Sequence, residues 1–123
     1  MMDNADSAYG HFQKVMKGLN DSLNDISRES EELSIAQIRV LIFVMRRENV
    51  IGADIAKGLE LSRPTVSRCL STLDTGKTNA RRRNKDALGF IELKPDSEDT
   101  RVKRVVLTAK GRKMAERIVG YFE

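Results

Sequence analysis

Apolar residues Tyr9, Phe12, Met16, Leu19, Leu23 and Ile26 recur at spacings of 3, 4, 3, 4 and 3. That period draws a narrow stripe along one face of a first helix, whose other positions are polar or acidic apart from Val15. One such stripe packs either on its own domain or on a second subunit, and two such helices from two chains make a dimer platform. Ser34 has the chemistry of an N-cap for a second helix over residues 35–47. Ile35, Ile38, Leu41, Ile42 and Met45 lie on one side of it and Val40, Phe43 and Val44 on others. A helix apolar nearly all round belongs in the middle of a core.

Residues 51–73 carry a different pattern. A short helix over 53–58 buries Ile55, Ala56 and Leu59, and a tight turn follows at Glu60 and Leu61. Ser62 then caps a helix that has Pro64 in its first turn, where proline is best tolerated, and Val66, Leu70 and Leu73 on its apolar side. Two short helices joined this tightly are a helix-turn-helix, a unit that offers the polar start of its second helix to a DNA major groove. Here that start is Ser62, Arg63, Thr65, Ser67 and Arg68. Beyond Gly89 the period changes to alternation, and residues 90–94 and 102–107 read as two strands joined by turn-forming residues at 95–100. Thr108 caps a last helix with Met114, Ala115, Ile118, Val119 and Phe122 as its apolar face. The order predicts a mainly α fold with a small β-hairpin, a winged helix-turn-helix. One domain is expected over 1–123: a first helix in 1–33, a core at 34–108 and a last helix at 109–123. The terminal helices are expected to dimerise through Tyr9, Phe12, Met16, Leu19, Leu23, Ile118 and Phe122.

Composition narrows the chemistry. The 123 residues are 40% hydrophobic and 33% charged, which suits one folded domain. The longest apolar run, residues 40–45, is far from the roughly 18–20 residues of a membrane span, and Asp3 and Asp6 stand where a signal peptide has basic residues. A cytoplasmic location is therefore expected. With one cysteine (Cys69) and one histidine (His11), neither a disulfide framework, nor a Cys-based zinc site, nor a Ser-His-Asp triad has its material. Cys69 falls on the buried side of its helix. No cluster of paired carboxylates or activated nucleophile appears, so the chain is expected to be non-enzymatic, free of cofactor and metal.

Charge is unevenly spread. Residues 1–34 hold three basic and seven acidic side chains, whereas residues 62–104 hold eleven basic and six acidic, within an overall net charge of +4. This asymmetry suits a polyanion bound on one face, or an ordinary solvated surface. The densest basic patch is Lys77, Arg81, Arg82, Arg83 and Lys85, readable as a clamp on a DNA backbone or as a solvated loop. The DTGKT at 74–78 has Ser71 where a phosphate-binding loop needs glycine.

Two stretches resemble the MarR-type winged-helix transcription regulators: LSRPTVSRCLSTL at 61–73, and GFIELKPDSEDTRVKRVVLTAKG at 89–111. The second holds the family's wing signature, here Asp99, Arg101, Leu107, Thr108 and Gly111. The resemblance implies a homodimer on a pseudo-palindromic double-stranded DNA site, usually acting as a repressor. It implies that the helix from Ser62 enters the major groove, that Arg101 at the wing tip reaches the minor groove, and that Asp99 holds Arg101 by a salt bridge. It also implies a small-molecule effector, which many relatives bind between domains. Two departures stand out. Gly89 lies sixteen residues after Leu73, leaving an insertion at about 75–87. Relatives also usually continue into another helix beyond the post-wing one, so here the interface is expected to rest on the first and last helices. The alternative reading is a winged-helix accessory of replication or recombination, or a protein-interaction module, of a mobile element.

Overall fold

The computed structural model describes residues 4–75 and 87–123. In chain order its elements are α1 (Asn4–Ser27), α2 (Ile35–Arg46), β1 (Val50–Ile51), α3 (Gly52–Leu59), α4 (Arg63–Leu73), β2 (Ile91–Pro95), β3 (Lys103–Leu107) and α5 (Ala109–Tyr121). The helices begin where the local chemistry says they should. Ser34 closes a capping box with Gln37, its Oγ accepting from the Gln37 amide at 3.1 Å while the Gln37 side chain accepts from the Ser34 amide at 2.8 Å. Thr108 Oγ1 accepts from the Gly111 amide at 3.1 Å at the start of α5.

The described residues gather into two compact units, one of Glu32–Arg112 and one of the chain up to Glu31 with Lys113–Glu123. In the first, α2 packs against α3, α4 and β3. Its central position follows from its all-round apolar sequence, and Val40, Leu41 and Val44 are fully buried. Ile55, Val66, Leu70, Leu73, Phe90, Ile91 and Val105 complete this core. The sheet is antiparallel with order β1-β3-β2, and its hairpin register pairs Ile91 with Leu107 and Leu93 with Val105. Alternation then sends Ile91, Val105 and Leu107 inward and Glu92, Lys94 and Lys103 outward.

The hydrophobic pattern predicts two strands, whereas among the described residues the sheet has three. β1 pairs Val50 with Val105 and Ile51 with Arg104, and Asn49, at φ 65°, donates its amide to the Val105 carbonyl at 3.0 Å. Two residues are too few to show a period, so this strand exists through its partner alone. The start of the wing lies against the end of α4. The amides of Leu88, Gly89 and Phe90 donate to the carbonyls of Thr72, Asp74 and Leu73, each at 2.9 Å. Those bonds satisfy carbonyls that the last turn of a helix leaves without partners.

In the second unit, Asp25 of α1 is buried at 4% exposure and accepts from Nε and Nη2 of Arg117, at 2.8 and 3.0 Å, and from the Tyr121 hydroxyl at 2.7 Å, both residues belonging to α5. The ring of Phe122 lies over Gly18, where a Cβ would stand 2.5 Å from it.

Candidate nucleic-acid interface

The approach to α4 is set by a turn of fixed shape. Glu60 ends α3 in the left-handed region at φ 56°, and the Leu61 amide donates back to the Ala56 carbonyl at 3.0 Å. Ser62 then caps α4: its Oγ accepts from the Thr65 amide at 3.2 Å and lies 2.7 Å from the Thr65 hydroxyl. Of the five residues expected to face DNA, Ser62 and Thr65 therefore bond one another, while Arg63, Ser67 and Arg68 stand exposed. Val66, Cys69, Leu70 and Leu73 bury the opposite side and fix the helix's rotation. Cys69 is buried, and that burial pushes its thiol above its ordinary range.

The wing is the β2–β3 hairpin and its tip. Arg101 makes a two-pronged contact with Asp99, Nε to Oδ1 at 3.1 Å and Nη2 to Oδ2 at 3.3 Å, and its amide donates to the same Oδ1 at 3.1 Å. These bonds from Arg101 hold the Asp99 carboxyl below its ordinary range. Sequence reading missed the residues beneath this pair. Asp96 Oδ2 accepts from the amides of Glu98 and Asp99 at 3.2 and 3.1 Å, while its Oδ1 accepts from Arg104 Nε at 3.0 Å. Arg104 also donates Nη1 to the Asn49 carbonyl at 3.2 Å. The turn-forming Pro95-Asp96-Ser97 was the available signal, since aspartate bonds its own following amides.

The two parts meet across one concave surface. Arg63 and Ser67 of α4, with Arg101 and Lys103 of the wing, line a cleft of about 560 Å³ that also includes the side chains of Leu70 and Leu93. Lys77, Arg81, Arg82, Arg83 and Lys85 lie outside the described residues. Of the candidate dimer residues, Tyr9, Phe12, Met16, Leu19 and Leu23 are all exposed along α1, with the Tyr9 and Phe12 rings stacked at 6.2 Å. Ile118 is half-buried, and Phe122 rests on Gly18 of its own chain. Among the described residues no group of three His, Cys, Asp or Glu side chains is placed to hold a metal, and no helix is long and apolar enough to cross a membrane.

Helices, sheet and wing in this order define a winged helix-turn-helix protein. No protein-family model matches the sequence, and no curated protein matches it. Solved structures do. The MepR–DNA complex of S. aureus is 25% identical, with 94% of this chain and 77% of that one covered and a TM-score of 0.56. Wild-type MarR of E. coli in its apo form is 20% identical, with 99% and 78% covered and a TM-score of 0.60. YusO of Bacillus subtilis is 18% identical, with 98% and 79% covered and a TM-score of 0.57. The chain has the MarR-type winged-helix fold.

Proposed function

We propose that this chain is a sequence-specific, double-stranded DNA-binding transcriptional regulator. It acts without catalysis, in the cytoplasm, as a homodimer that represses from a pseudo-palindromic site. The observation that carries the reading is the shared cleft: the exposed start of α4 and the wing tip present Arg63, Ser67, Arg101 and Lys103 to one concave surface. A duplex offers that surface a phosphate backbone for the cations and base edges for the helix. The likeness at 25% identity to a structure solved as a DNA complex supports it. Arg63, Ser67 and Arg68 would read bases in the major groove, and Arg101 would enter the adjacent minor groove, where a narrow groove concentrates negative potential. Ser62 and Thr65 would orient the helix through their mutual bond.

Selection of bound fragments from a random duplex pool by the purified protein tests this reading. The expected product is an inverted repeat with half-sites about one helical turn apart. Arg68→Ala should weaken binding to that repeat by about 1–3 kcal/mol and affect random duplex less. Equal loss on both would remove the base-reading role, and recovery of no preferred sequence would turn the protein into an architectural or accessory binder.

A further inference from the structure

We propose that Asp96, anchored by Arg104, is the positioning residue that sets where Arg101 stands at the wing tip. The inference rests on the DNA-binding reading above and deepens its wing contact. Arg101 and Asp99 are 89% and 41% exposed, and an ion pair so open to water is too weak to hold a loop in one geometry. The pair beneath is better shielded, with Arg104 and Asp96 at 37% and 19%. It is also tied into the fold at both ends. Arg104 belongs to the central strand β3 and bonds the Asn49 carbonyl, beside β1. Asp96 accepts the amides of Glu98 and Asp99 and so fixes the backbone that carries the Asp99 carboxylate. Asp96 also lies at the foot of the loop, where its own amide donates to the Val102 carbonyl at 2.9 Å. The order of support therefore runs from sheet to Arg104, to Asp96, to the Asp99 backbone, and last to Arg101.

Two measurements on the full chain test it. In the free protein, the backbone amide of Arg101, which donates to Asp99 Oδ1 at 3.1 Å, is expected to be protected from exchange and to lose that protection in Asp96→Ala. On the duplex selected by the wild-type protein, Asp96→Ala and Arg101→Ala should each weaken binding about tenfold, and the double variant should bind no more weakly than Arg101→Ala alone. If Asp96→Ala lowers the melting temperature so far that its binding is unreadable, Arg104→Gln takes its place. That change removes the anchoring charge, leaves the bonds within the turn, and is expected to show the same non-additivity. An unchanged Arg101 signal, or losses that multiply in the double variant, overturns the proposal while the wing contact stands. Arg101→Ala binding like wild type overturns the wing contact itself, and with it the proposal.

Discussion

A Cβ added at Gly111 would fall on the Phe90 carbonyl oxygen and lie 3.1 Å from Leu107 Cδ2, so α5 can start this close to the sheet only with glycine there. The obstacle is backbone, which does not swing aside, and Gly111→Ala should destabilise the chain by about 3 kcal/mol in urea unfolding. Two other glycines calibrate that figure. Gly89 has open space around it and a φ of +76°, so Gly89→Ala should cost only the left-handed penalty, about 1 kcal/mol. Gly10 sits inside α1 with nothing within 4 Å, and Gly10→Ala should stabilise by about 0.5–1 kcal/mol. Gly111 was legible in the sequence as part of a motif, but its reason was not. A close approach between residues 90 and 111 leaves no trace in the pattern around either.

Among the elements, α2 and α4 were legible almost to the residue because caps and apolar periods are local, whereas α1, without a cap to mark it, was placed only within 1–33. Ser34, Ser62 and Thr108 announce their own helices. The strand β1 and the Asp25 cluster were not, because each is defined by a partner far along the chain: Val105 for Val50, Arg117 for Asp25. Arg117 is the main cause that holds the Asp25 carboxyl below its ordinary 3.8, with the Tyr121 hydroxyl adding to it against the cost of burial. A carboxyl with a depressed folded pKa contributes stability that is complete above that ordinary value and is lost as pH falls through the folded one. Asp25→Asn should therefore cost about 2 kcal/mol at pH 7, below the figure for a wholly buried pair because Arg117 stays half exposed and hydrated. The gap between wild type and variant should close on acidification, and unfolding curves taken from pH 7 downward will measure it. A gap that persists in acid would show that Asp25 acts by shape and not by charge.

At the scale of the whole molecule, the proposed dimer rests on α1, whose stripe keeps Tyr9 62% and Phe12 53% exposed within a single chain. Phe12→Glu with Leu19→Glu is expected to convert a dimer into a folded monomer in sedimentation, and to weaken binding to an inverted repeat far more than to one half-site. The fold was readable from two runs of sequence, 61–73 and 89–111, whereas the cleft was not, since it needs Arg63 and Arg101 brought together from separate elements. The bonds that join Leu88, Gly89 and Phe90 to the end of α4 have a consequence for how such a chain changes over time. They tie the start of the wing directly to the recognition helix, so backbone bonds, which depend on no particular side chain, hold the two in register. Two parts of an interface joined through main-chain bonds can exchange their side chains, and with them the sequence they read, without first having to rebuild the frame that carries them.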